Sequence, residues 1–358
     1  MTQANVLAQL GSAGVSPGFK NRIINGDMRV AQRGTAAVTA DGAYPLDRFI
    51  MTNVTDGAFS ASRSTTVPTG FTNSLYFTTT TADGSLSATQ RCHLRQTIEG
   101  FNIADLGWGT ANAKTVTLSF VVRSSLTGTF GGALSNASVN RSYPFTYTIS
   151  AADTWETKSI TITGDTSGTW ATDNSGGINL IFGLGVGSTY SGTAGSWAGA
   201  DYRSATGAVS VIGTLNATWY ITGVQLEVGS TATEFEVRPY GTELALCQRY
   251  CVVISGAGTT ASSSPVASGY CVGTTNFYVP YVFKVTPRTP PTGISVTNPT
   301  SFTCAFGPPS NPSAINFAGG SFEGCFMQAV ITGGTGGYGG VMYMNNTNAK
   351  IEITGMEL

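Results

Sequence analysis

WYITGVQLEVGSTATEFEVRPYGTELALCQRYC, residues 219–251, is the stretch where the pattern of the chain changes. Tyr220, Thr222, Val224, Leu226 and Val228 recur at period two, which predicts a half-buried strand with those side chains on one face. Gly229 and Ser230 break the pattern, Phe235 anchors the next segment, and Pro239 ends extended structure. Thr242 then reads as a helix N-cap, with Leu244, Cys247 and Cys251 at helical spacing behind it. A strand, a short helix and a fresh run of strands mark a domain boundary.

Upstream, period two dominates. Val116, Leu118, Phe120 and Val122 form one apolar face, and Ile178, Leu180, Phe182, Leu184 and Val186 another. Tyr143, Phe145, Tyr147 and Ile149 form a third, across Pro144. Proline has no N–H for a central ladder, so this predicts an edge strand. Shorter alternations lie at 75–78, 94–98, 160–162 and 209–211. Met28, Val30 and Gln32, between Asn25-Gly26 and Asp41-Gly42 turns, suggest one more strand. Eight or more strands joined by Gly and Asp turns fold most naturally as two packed antiparallel sheets, and the jelly roll suits this strand count.

Beyond Tyr250 the strands resume, interrupted by the rigid turn PRTPPTG at 287–293, and run to the end, KIEITGMEL. Ile353-Thr354-Gly355 repeats Ile221-Thr222-Gly223, as if both domains close on an equivalent strand.

Composition agrees with an all-β protein. Of 358 residues, 46 are Gly and only 10% are charged, well below the usual quarter. The net charge is −1 and no basic run stands out, which argues against a phosphate-tracking nucleic-acid surface. No apolar run is long enough for a membrane span and no secretory signal opens the chain. The six cysteines follow no metal spacing and read as buried free thiols. His93 is the only histidine, and no nucleophile elbow or Cys/His pair accompanies it. Asp and Glu total only 19 and are spread thinly, and Asp153, Glu156, Asp165 and Asp173 read as turn residues, where Asp is ordinary turn chemistry. No enzyme, cofactor or metal site is expected.

One loop is too long to be a plain connection: GSTYSGTAGSWAGADYRSATGA, residues 187–208. A tryptophan in such a loop either packs on the sandwich or meets a partner. As a binding platform it would offer the rings of Tyr190, Trp197 and Tyr202, with Asp201 and Arg203 to orient a sugar hydroxyl. Trp170, in GDTSGTWATDN, would join them at the same end. The competing reading is that these rings cover the core or an oligomer interface.

ITGVQLEVGS, EFEVRPYG and ELALCQRY are similar to strings near the middle of many tailed-bacteriophage fibre and minor structural proteins. NRIINGDMRVAQRGT, residues 21–35, resembles the opening of the same proteins, and YPLDRFI and LRQTIEG match in order and spacing. The resemblance covers about residues 1–250. Cys251 departs from it, standing where a second aromatic usually follows Tyr250. The resemblance implies a virion protein with a jelly-roll domain of the kind compared with carbohydrate-binding modules, and it names no ligand.

These readings give a domain plan. Residues 1–20 form a leader whose Val6, Leu7 and Leu10 would dock on other virion proteins. Residues 21–238 form the jelly-roll sandwich, 239–251 a short helical connector, and 252–358 a smaller β domain. The expected role is a tail fibre or receptor-binding protein that attaches to a host-surface carbohydrate. A non-binding decoration or head-fibre protein is the alternative, and a glycan depolymerase the third reading. The neutral C-terminal domain exposes strand edges, which predicts a homo-oligomer, a trimer by analogy with phage fibres. Such a protein would be made in the host cytoplasm and reside on the virion, without nucleic-acid or membrane partners.

Overall fold

Trp219 and Ile221 are sealed from solvent while Tyr220 between them is not. In this computed structural model, which describes residues 19–256 and 264–358, the chain divides into two compact units. Among the described residues, one contains 19–28, 38–43 and 51–238. The other contains residues 29–37, 44–50 and 239–358, so two N-terminal segments belong to the C-terminal unit. Val6, Leu7 and Leu10 lie outside the described residues.

The first unit is a jelly-roll sandwich. Its strands are β1 (Ile50–Val54), β2 (Ala58–Ser64), β3 (Ser74–Thr81), β4 (Arg91–Glu99), β5 (Val116–Ser124), β6 (Gly128–Asn136), β7 (Ser142–Ile149), β8 (Glu156–Ile162), β9 (Gly176–Val186) and β12 (Thr218–Val228). Two short strands, β10 (Ser191–Gly192) and β11 (Ser204–Ala205), pair in parallel inside the long loop. One five-stranded sheet has the order β2-β3-β12-β5-β8, with all four pairings antiparallel. The other has the order β1-β4-β9-β6-β7. Pro144 is on β7, at its edge, where the missing N–H costs no ladder bond.

The core lies between the sheets. Phe120 on β5 meets Phe182 on β9 edge-on at 5.1 Å and Tyr147 on β7 at 5.0 Å. The Trp219 indole N–H donates to the Tyr147 hydroxyl at 3.2 Å, so a buried polar pair is satisfied across the sandwich.

The expected single face on β12 is wrong for a specific reason. Between Thr222 and Gln225 the strand carries one residue more than β5 opposite. Gly223 sits in this bulge at φ +63°, and a Cβ there would lie 2.7 Å from the Phe71 ring. The extra residue moves the core side from odd to even positions. Trp219 and Ile221 point inward before it, Val224 and Leu226 after it, and Tyr220 and Thr222 fall on the other face. The strand expected over 28–32 is absent as well. Asn25 and Met28 take left-handed conformations at φ +61° and +62°, and residues 24–28 form turns.

Residues 21–24 close this unit. The Asn21 side chain donates to Val224 O and accepts from Leu226 N–H, and Arg22 N–H donates to Leu226 O. The Gln96 amide bonds both backbone groups of Ile24, at 2.9 and 2.8 Å. Arg238, almost fully buried, donates to the carbonyls of Asn21 and Ile23 and pairs with Glu236.

The second unit begins with helix α1 (Tyr240–Gln248). Its N-cap is Pro239, not Thr242, because Pro239 O already accepts from Thr242 and Glu243 N–H and starts the helix earlier. The strands are β13 (Val252–Ser255), β14 (Ser264–Val272), β15 (Asn276–Val282), β16 (Gly293–Thr297), β17 (Phe302–Ala305), β18 (Ala314–Gly320), β19 (Gly324–Val330), β20 (Gly339–Met344) and β21 (Lys350–Thr354). A three-stranded sheet, β13-β21-β16, shares one core with a six-stranded sheet, β17-β20-β14-β15-β19-β18. Phe277, Val279, Phe302, Met327, Met342, Ile351 and Ile353 are the heart of that core. β12 and β21, the two Ile-Thr-Gly strands, are each the last strand of their unit and the middle strand of their sheet.

Arg48 pairs with Glu357 inside the second unit. Gln32 donates through its backbone and side chain to Asp47 and through its side chain to Cys251 O.

Candidate functional site

Which side chains of the sandwich reach a partner depends on the loop between β9 and β12. Its β10–β11 ribbon lies against the outer face of the β1-β4-β9-β6-β7 sheet. Two glycines make room for it. A Cβ on Gly131 of β6 would lie 2.4 Å from Ser204 Oγ, and one on Gly183 of β9 would lie 2.7 Å from the same atom. Ala198 exchanges backbone hydrogen bonds with Ser142 at the β7 edge, and Ser142 Oγ donates to Ala200 O. Ala133 and Ile181, on the covered face, are consequently buried.

The six residues singled out from the sequence fall into two groups. Trp170 and Trp197 join Trp108 and Tyr143 in an aromatic cluster. The three indoles meet edge to face, at 4.7 Å for Trp108–Trp170, 5.3 Å for Trp108–Trp197 and 5.4 Å for Trp170–Trp197. Tyr143 meets Trp197 at 5.3 Å. Each indole N–H has an acceptor: Lys114 O, Ser167 O and Thr163 O. Trp108 and Trp170 are only 6% and 7% exposed, and Trp197 is half-buried over them. The cluster joins three loops far apart in sequence, and Arg141 braces it with a two-point ion pair to the buried Asp165, at 2.7 and 2.6 Å.

Tyr190, Asp201, Tyr202 and Arg203 form the second group. The ribbon register sets Ser191 opposite Ser204, and Arg203 N–H donates to Tyr190 O at 2.7 Å. The Arg203 guanidinium lies 5.0 Å from the Tyr190 ring centroid and is held by both carboxylate oxygens of Asp201, at 3.0 and 2.9 Å. Tyr202 turns its ring onto Gly192, where any Cβ would collide with it.

The sequence reading missed Arg91, whose guanidinium lies 4.8 Å from the same Tyr190 ring. Its signal was the alternation Arg91-x-His93-x-Arg95 on β4, which sets three basic side chains on one face. His93 is fully buried, and neither ring nitrogen has a hydrogen-bond partner. Burial first, then the charges of Arg203, Arg95 and Arg91, hold its imidazole well below the usual histidine range. Among the described residues no group of three His, Cys, Asp or Glu side chains is placed to hold a metal ion.

No family model matches the chain, and no curated protein sequence matches it. Solved structures do. The enzymatically active domain of tailspike protein 4 of bacteriophage CBA120 matches over 59% of this chain but 22% of its own, at 9% identity and TM-score 0.31. A family 11 carbohydrate-binding module from Clostridium thermocellum, in complex with a β-1,3-1,4-mixed-linked tetrasaccharide, matches over 56% of this chain and 99% of its own, at 10% identity and TM-score 0.29. TmCBM61, in complex with β-1,4-galactotriose, matches over 59% and 100%, at 9% identity and TM-score 0.30. At such values these are likenesses of outline and carry no functional weight.

Proposed function

We propose that this chain is a non-catalytic virion protein of a tailed bacteriophage, a tail fibre or receptor-binding protein that attaches to a host-surface glycan. The observation behind this reading is where the phage-like strings lie. Asn21, Arg22 and Ile24 from the opening string bond Val224, Leu226 and Arg238 from the later strings, and Gln96 from LRQTIEG. Residues that carry the resemblance are thus residues that close the sandwich, which is what a shared fold requires. The glycan partner is inferred from the half-buried Tyr190 with its flanking Arg91, Arg203 and Asp201, a flat ring beside directed polar groups.

Purified protein should bind host cells, compete with virions for adsorption and retain defined glycans on an array. Protein that is inert towards cells and glycans, but binds virions lacking it, would establish the decoration reading instead. That second reading has one observation in its favour: Trp170 and Trp197 spend their faces and N–H groups on each other, Trp108 and backbone carbonyls.

The same proposal includes self-association through the C-terminal unit. Tyr270, Val272, Val282 and Phe326 share the outer face of its six-stranded sheet and are all exposed, Val282 to 73%. A neutral, aromatic sheet face suits further copies of the same chain.

A further inference from the structure

The cluster around Tyr190 is rich in donors and poor in acceptors. Arg91 Nε is buried without a partner, and neither nitrogen of His93 has one. Arg203 uses Nε and Nη2 on Asp201, which leaves Nη1. The charged groups acting on His93 are all guanidinia: Arg203, Arg95 and Arg91. A neutral imidazole still carries one N–H that wants an acceptor. Buried polar groups without partners cost stability unless something completes them. Arg203 and Asp201 are 16% and 24% exposed, so the cluster opens to solvent on that side.

We propose that Arg91, Arg203 and Tyr190, with His93 beside them, form a site for the carboxylate of an acidic sugar. Guanidinia supply paired N–H donors that match a carboxylate and the Tyr190 ring offers its edge to the pyranose, while His93, sealed from solvent, touches no ligand and senses the bound charge through the arginines. Asp201 acts as a positioning residue that holds Arg203 by two bonds. The proposal names a ligand class for the glycan-binding reading and rests on it.

His93 is the only histidine in the chain, so its imidazole signals are identified in an NMR spectrum of the unaltered protein. Trigalacturonate should shift those signals and bind about tenfold or more tightly than neutral galactotriose, and Arg91→Gln or Arg203→Gln should each weaken it about tenfold. Unmoved His93 signals at saturating trigalacturonate overturn the proposal, even if a variant fails to fold. Equal binding of galactotriose overturns it too, as does inorganic phosphate binding with no preference for any sugar. Two further results separate it from the receptor role. Cell adsorption that persists in both arginine variants removes this site and keeps the receptor reading. Arginine-dependent binding of trigalacturonate by protein that never adsorbs to cells keeps the site and removes the receptor reading.

Discussion

The Arg48 guanidinium lies 3.6 Å from the centroid of the Tyr250 ring. Arg48 is 2% exposed, adopts φ +72°, and ends on Glu357. Three segments, around residues 48, 250 and 357, thereby meet on one buried cation. A buried charge is tolerated only with its countercharge in place. Glu357→Ala should therefore destabilise the second unit by about 3–5 kcal/mol, the usual cost of breaking such a pair. Urea unfolding checks this, and a loss below about 1 kcal/mol, the worth of an exposed pair, would show that the pair behaves as a surface one.

Trp197→Ala removes the ring that caps Trp108 and Trp170. Stability should fall by about 3 kcal/mol, the low end for a packed tryptophan, because Trp197 is only half-buried. Thermal unfolding and cell adsorption should be measured together. Adsorption lost at unchanged stability would mean that Trp197 contacts the ligand instead.

Asp47 is buried, and burial raises its pKa against the hydrogen bonds from Gln32 and the charge of Arg33. The unfolded chain releases this proton near 3.8, and the folded protein releases it at higher pH. Between the two values the folded state binds more protons, so stability drops as pH rises through that window and stays lower above it. Asp47→Asn should remove this slope. The difference between wild type and variant, followed by denaturant titration from pH 4 upward, should move steadily in favour of the variant.

All six cysteines are buried and free. Burial pushes the Cys325 thiol up to about 11 and Cys304 up to about 12. A thiol reagent at pH 8 should label none of the six in native protein and all six after denaturation. Rapid labelling of the native protein would show that its cores open.

Val282→Asp and Phe326→Asp place charges on the exposed outer face of the six-stranded sheet without entering the core. If that face joins copies, light scattering should show an oligomer for wild type and monomer for the double variant, with unfolding midpoints for the C-terminal unit otherwise similar. Monomeric wild type at micromolar concentration would end the self-association proposal.

Much of the sandwich was legible from period two alone. The faces of β5 and β9 alternate as written over Val116–Val122 and Ile178–Leu184, but Val186, expected on the same face, lies past a register shift on β9, opposite Arg91, and is only half-buried; Pro144 announced an edge. Strand alternation is a local property, so one chain segment carries the signal without its partner. The β12 bulge was not legible, since an inserted residue is defined only against β5. Nor was the assignment of residues 29–37 and 44–50 to the second unit, which depends on Gln32 meeting Asp47 and Cys251 and on Arg48 meeting Tyr250 and Glu357.

The candidate site divides in the same way. Sequence picked out Tyr190, Asp201 and Arg203, because a long Gly/Ser loop with aromatic residues is locally conspicuous. It placed Trp197 and Trp170 beside them and overlooked Arg91. Only the tertiary structure sent the tryptophans to Trp108 and brought Arg91 of β4, 99 residues earlier in the chain, to the Tyr190 ring. The physical reason is that side-chain alternation is set by backbone geometry within a strand, while the pairing of distant segments is set by which surfaces bury each other.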